Sequence, residues 1–150
     1  MARLTMTMGL PASGKTTWAK EQVEAAGGHI KRFNRDDLRL MMDLGKWSKE
    51  NEAVVSTVQL FGVTAAIRAG FDAIVDDTNF DPVVRRRLVE AARLGVRYLP
   101  SGEDLSVYVK DFSGVPIEVC VARAAQRDDG NDWEQIIEGM AARWGVQGRG

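Results

Sequence analysis

Two periods of hydrophobic and polar residues take turns along this chain, and the switches between them mark its elements. Arg3 to Met8 is a short apolar-rich run that predicts a strand, and Thr16 to Ala26 a helix stopped by Gly27-Gly28. His29 to Phe33 has strand character, and Asp36 to Asp43 predicts a short helix with Asn34 or Asp36 near its start. Val54, Val58, Phe61 and Ala65 recur at helical spacing, so Glu50 to Ala69 is expected to be a helix with that stripe buried and Gly70 ending it. Phe71 to Val75 is an apolar strand running into two aspartates. Pro82 suits the first turn of a helix to about Leu94, with Val84, Leu88 and Ala91 inward and Gly95 closing it. Val96 to Leu99 and Ser106 to Phe112 both read as strands around P-S-G-E-D, one of them an irregular approach or an extra edge strand. Pro116 to Arg127 predicts a helix, Trp133, Ile136, Ile137, Met140 and Trp144 mark a last one, and G-V-Q-G-R-G reads as a loose tail.

Strands alternating with helices imply an α/β fold, a parallel sheet of four to five strands with helices on both faces. At 150 residues and 45% hydrophobic content the chain is expected to form one domain, residues 1–150, able to bury an ordinary core. The lone cysteine, Cys120, excludes an intramolecular disulfide and reads as core filler in its helix. His29 is the only histidine, which argues against histidine catalysis or a zinc site. No run is long and apolar enough to span a membrane and no signal peptide is evident, so a cytoplasmic location is expected. A net charge of −1 gives no support to broad electrostatic binding of nucleic acid, so any such contact would be local.

Chemistry enters at residues 9 to 17, G-L-P-A-S-G-K-T-T, which fits the P-loop pattern G-x-x-x-x-G-K-[ST] between a strand and a helix. The loop from Gly9 through Pro11, Ala12, Ser13 and Gly14 would turn its backbone N–H groups, which Pro11 alone lacks, inward around the β-phosphate of ATP or another nucleoside triphosphate. Lys15 would bridge the β- and γ-phosphates, Thr16 would take one position on Mg²⁺, and Thr17 would open a helix whose dipole faces the same anion. In such folds ligands gather at the carboxyl ends of the strands, and three further groups fall there. After the second strand, N-R-D-D-L-R sets Asp36 and Arg39 three apart, a carboxylate to accept a hydroxyl proton and a guanidinium to fix an anionic acceptor. A capping aspartate with a solvated arginine is the ordinary reading of a helix start, and the position beside a P-loop favours the chemical one. The third strand ends in D-D-T-N, where Asp76 and Asp77 point opposite ways, so one would face Mg²⁺ and the other cap or turn. Arg123 and Arg127 share a face of a helix that leads into R-D-D-G-N-D, the makings of a lid over about residues 116–131.

In their order, G-L-P-A-S-G-K-T-T-W-A, N-R-D-D-L-R, D-T-N-F-D-P-V-V-R-R and V-P-I-E-V with its downstream arginines resemble the kinase domain of bacteriophage-type 5′-OH polynucleotide kinases, over nearly the whole chain. The resemblance implies transfer of the γ-phosphate of ATP, with Mg²⁺, to the 5′-hydroxyl of DNA or RNA in end healing. It makes Asp36 the general base, Arg39 the holder of the acceptor's 3′-phosphate, and Arg127 with Arg123 the lid arginines. Asp77, Thr78 and Asn79 would serve the acceptor, with Asp77 orienting the group that holds its 3′-phosphate and reaching Mg²⁺ through water. A ligase and a separate phosphatase would be functional partners, because the phosphatase domain of the better-known members is not expected here, and a phage-encoded protein would act in the host cytoplasm. Ala12 stands where the family commonly has glycine, which a negative φ would accommodate. Two other readings stay open, a small-molecule P-loop kinase for a nucleoside or other alcohol and a nucleotide-dependent switch without transfer, as does the oligomeric state. Arg85, Arg86 and Arg87 fan out around a helix and read as a solvated face, Trp18, Trp133 and Trp144 as core, and Trp47 as a loop residue with a base-stacking alternative.

Overall fold

The computed structural model describes residues 1–100 and 102–146; the end of the expected loose tail, residues 147–150, lies outside the described residues. The elements are β1 Ala2–Met8, α1 Lys15–Ala25, β2 Ile30–Phe33, α2 Arg35–Asp43, α3 Lys49–Arg68, β3 Asp72–Val75, α4 Pro82–Val96, β4 Leu105–Asp111, α5 Ile117–Ala124 and α6 Trp133–Trp144. The four strands form one parallel sheet in the order β2-β3-β1-β4 with helices on both faces. β1 is central, pairing Met6 with Val75 of β3 and with Val109 of β4. Leu4 and Met6 of β1 are accordingly buried, as parallel strands covered on both faces require. Against one face Val63, Ile67, Leu88 and Ala92 of α3 and α4 close the main core. A second cluster, Leu10, Phe80, Cys120, Ala124, Ile137 and Ala141, packs α5 and α6 beside the P-loop, so the end of the molecule that carries the chemistry has its own core.

Three expectations change. On α3 the stripe Val54, Val58, Phe61 points outward, with 53%, 37% and 69% exposure, while Val55, Gln59, Val63, Ala66 and Ile67 face in. The helix carries two apolar rows at helical spacing, and a glutamine in the middle of the true one disguises it. Gly95 does not end α4 but lies buried within it. A Cβ there would sit 2.8 Å from Ile67 Cβ and 2.8 Å from the Thr64 carbonyl oxygen, so the glycine lets α3 and α4 nearly touch. Thr64 Oγ1 reinforces that contact by donating to the Ala91 carbonyl at 2.8 Å. Val96 to Leu99 is not a strand; it finishes α4 and turns through the Tyr98 N–H to Gly95 carbonyl and Leu99 N–H to Val96 carbonyl bonds. The sheet keeps to four strands among the described residues, with β2 and β4 at its edges. Among the described residues no helix is long and apolar enough to cross a membrane.

Candidate active site

A cleft of about 850 Å³ opens at the carboxyl ends of β1, β2 and β3, walled by the P-loop, the first turn of α2, the D-D-T segment and the α5–α6 pair. The P-loop leaves β1 at Gly9, whose N–H donates to the Thr78 carbonyl at 3.1 Å and whose missing Cβ would lie 2.8 Å from Phe112 Cβ. Gly14 takes φ 104° as the N-cap of α1, a left-handed conformation natural to glycine. Ala12 also has a positive φ, 62°, contrary to the negative value expected of a non-glycine there. The loop thus holds an alanine in a conformation that costs about 1–2 kcal/mol. Lys15 is folded back, its Nζ donating to the Leu10 carbonyl at 2.5 Å and to Ser13 Oγ at 3.5 Å. Burial lowers its pKa to about 8, against the opposing pull of Asp76. Thr16 and Thr17 are exposed to the cleft.

The paired aspartates diverge as a strand demands, but the one facing the P-loop is Asp76. Its Oδ1 accepts from Thr16 Oγ1 at 3.3 Å, and its Oδ2 takes the Arg32 guanidinium, Nε at 2.8 Å and Nη2 at 2.7 Å. Burial raises the Asp76 pKa, and Arg32 opposes it. Asp77 turns the other way. Its Oδ1 accepts the Arg35 backbone N–H at 2.9 Å and its Oδ2 the Gln59 amide at 2.7 Å, so it is the Asp76 carboxylate, not that of Asp77, that lies beside Thr16. Burial raises the Asp77 pKa to about 6. Asn79 also departs from its expected place on the acceptor. It is buried with φ 46°, and its amide donates to the Thr7 carbonyl at 2.9 Å and the Val75 carbonyl at 3.2 Å. Thr78 does line the cleft. Arg85 is no part of a solvated face, since Nη1 ties down the Asn79 and Phe80 carbonyls at 2.6 and 2.8 Å.

On the facing wall Asn34 caps α2, its Oδ1 accepting the Asp37 N–H at 2.9 Å and its amide donating to the Asp76 carbonyl at 2.6 Å. This leaves Asp36 on the first turn with its side chain 80% exposed to the cleft. Arg39 Nη1 donates to Asp36 Oδ1 at 2.6 Å, as the spacing suggests. Its other edge is gripped by Glu52 of α3, Nε to Oε2 at 2.7 Å and Nη2 to Oε1 at 2.6 Å, a two-toothed pair that sequence reasoning missed. Through those bonds Arg39 holds the Glu52 carboxyl below the usual carboxylate range. Arg123 and Arg127 reach the cleft from the third side, Arg123 Nη1 donating to the Ala12 carbonyl at 3.4 Å and the Arg127 guanidinium lying 4.7 Å above the Trp133 ring. Asp129 accepts from Trp133 Nε1 at 3.0 Å. Trp133, Ile136 and Met140, which periodicity alone assigns to the core, line the far wall as well.

The donor set suits a hard cation bound mainly through a ligand: the Thr16 hydroxyl and Asp76 Oδ1 are adjacent oxygens, and among the described residues no cluster of three or more His, Cys, Asp or Glu could hold a metal alone. Residues 4–144 match the profile of the AAA domain family. A chain of the Pnkp1/Rnl/Hen1 RNA repair complex superposes with a TM-score of 0.69 at 25% identity, over 96% of this chain and 44% of that one. The present chain therefore spans under half the length of that relative. A gluconokinase from Sinorhizobium meliloti (TM-score 0.55, 16% identity, 92% of this chain and 72% of that one) and a sugar kinase from a Janibacter species (0.56, 16%, 97% and 96%) share the fold. The nucleotide-binding loop, the sheet order and the family match over almost the whole length lead to one conclusion: the chain belongs to the AAA domain family and is a P-loop kinase domain.

Proposed function

We propose that the protein transfers the γ-phosphate of ATP to the 5′-hydroxyl of a DNA or RNA end. The observation that carries this reading is a cleft with the P-loop on one wall and, opposite it, an exposed carboxylate beside an anchored guanidinium, Asp36 and Arg39. In the reaction the acceptor oxygen attacks the γ-phosphorus in line, the bond to the β–γ bridging oxygen breaks, ADP leaves, and Asp36 takes the hydroxyl proton. Lys15 leaves the Leu10 carbonyl for the phosphates, and Arg127 with Arg123 spreads the charge on the transferring group. Mg²⁺, held by Thr16 and Asp76, would neutralise the phosphate oxygens. Arg39 keeps donor capacity for an acceptor phosphate because Glu52 and Asp36 occupy only three of its five N–H groups. Asp77 acts at one remove, fixing the Arg35 N–H and hence the turn that carries Asp36. Likeness to a chain of an RNA repair complex supports an end-healing role, in which a ligase and a separate phosphatase would be the functional partners.

A small alcohol is the second acceptor reading, favoured by the two carboxylates that already offset the Arg39 charge. One assay separates them: labelled γ-phosphate transfer to a 5′-OH oligonucleotide, a nucleoside 3′-monophosphate and a bare nucleoside. The first two should be labelled and the third hardly at all; labelling of the bare nucleoside alone would refute the polynucleotide reading. Asp36→Asn should abolish transfer while leaving ATP binding within about twofold.

A further inference from the structure

Arg32 has no part in the steps above, yet its surroundings are those of a working residue. It lies on β2, where Arg32 pairs with Ile74 and Phe33 with Val75 of β3, so its side chain runs beside the end of the strand that delivers Asp76. The guanidinium is 16% exposed and joins two carboxylates. Nε and Nη2 both fall on Asp76 Oδ2, at 2.8 and 2.7 Å, and Nη1 donates to Asp37 Oδ2 at 2.9 Å. Asp37 is 62% exposed, and its arm of the bridge is correspondingly weak. Asp76 is 1% exposed, and its arm dominates.

We infer that Arg32 is a positioning residue for the metal: by saturating Oδ2 of Asp76 from behind, it turns Oδ1 toward Thr16 and the cleft. The two oxygens of a carboxylate are chemically equivalent, so only an asymmetric set of partners selects which one is presented. Asp76 has that asymmetry, with two donors from Arg32 on one oxygen and a single bond at 3.3 Å from Thr16 Oγ1 on the other. Outer partners of this kind orient the groups that touch a metal, and their loss weakens metal affinity by about 10- to 100-fold. The Asp37 arm adds a tie to the first turn of α2, so the metal-side carboxylate and the Asp36 turn share one guanidinium plane. The inference rests on the metal half of the proposed function and is independent of the acceptor.

The test is calorimetric ATP binding in Mg²⁺ and in EDTA, with Mn²⁺ binding to the protein–nucleotide complex followed by electron paramagnetic resonance. The unaltered protein should bind ATP more tightly with Mg²⁺. Arg32→Gln should lose about tenfold of that enhancement and weaken Mn²⁺ binding to match, with affinity in EDTA kept within about twofold. Arg32→Lys, which keeps the charge but not the fork, should recover part of the loss and carries the test if the glutamine variant does not fold. Asp76→Asn should lose at least as much, and adding Arg32→Gln to it should cost nothing more, because the two side chains act through one oxygen. Full Mg²⁺ enhancement in Arg32→Gln, equal losses with and without metal, or a further loss in the Asp76→Asn background would each overturn the role given to Arg32. No Mg²⁺ enhancement in the unaltered protein would instead overturn the metal reading, and this inference with it.

Discussion

Replacing Gly95 by alanine sets two effects of opposite sign against each other, and the structure decides between them. In an exposed helix, glycine to alanine stabilises by about 1 kcal/mol. At Gly95 the added methyl would meet Ile67 Cβ and the Thr64 carbonyl oxygen, each at 2.8 Å. Neither is the flexible end of a side chain, so relief requires α3 and α4 to part by several tenths of an ångström. Overpacking of this kind costs about 1–3 kcal/mol, and the upper half of that range applies where backbone is the obstacle. The net expectation is a loss of about 1–2 kcal/mol, or a melting temperature lower by roughly 3–6 °C for a domain of this size. Gly139 provides the control: it lies in α6, and a methyl added there would meet no atom within 4 Å, so Gly139→Ala should gain about 1 kcal/mol from helix propensity alone. Thermal and urea unfolding of both variants measures the difference. A Gly95→Ala protein as stable as the parent, beside a stabilised Gly139→Ala, would refute the close contact between α3 and α4.

Lys15 makes ATP binding depend on pH. Its pKa is about 8 in the free protein, and between phosphates it stays charged, so above pH 8 binding takes up a proton and affinity should fall by up to about tenfold per pH unit. Affinity constant between pH 8 and 9.5 would contradict this. The same shift bears on stability with a definite sign: the folded pKa lies below the unfolded value of 10.5, the unfolded chain binds more protons between them, and folding stability gains from this group as pH rises from about 8. Glu52→Gln removes the charge from a pair whose side chains are only 14% and 18% exposed; it should cost about 1–3 kcal/mol in urea unfolding and raise the acceptor KM more than it lowers kcat. An unchanged KM would separate Glu52 from acceptor binding.

The parallel fold was legible because a P-loop between strand and helix fixes the direction of β1, and each later strand is bounded by glycine, proline or aspartate. What escaped notice has physical reasons. Gln59 occupies the buried row of α3 because it serves Asp77, a partner 18 residues away that periodicity does not register. Asp76 and Asp77 have the same chemistry, and the alternation of a strand assigns them opposite faces without saying which face is which. Asn79 looks like a recognition residue in D-T-N, yet a buried amide within reach of the Thr7 and Val75 carbonyls is first a structural donor. Arg32 and Glu52 belong to no local pattern; their meaning lies in partners 44 and 13 residues distant, which adjacency in one sequence cannot reveal.

Cys120 offers a way to watch the site move. It is the only thiol in the chain, fully buried in α5 among Ala124, Ile137 and Ala141, with burial pushing its pKa up. A thiol-reactive dye therefore reaches it only when α5 and α6 part from the body, and these helices with the segment between them bring Arg123, Arg127 and Trp133 to the cleft. The native protein carries its own clock for this motion: the labelling rate of the unmodified chain reads how often the helices separate, and if they close over nucleotide as the proposed roles of Arg123 and Arg127 suggest, ATP should slow it.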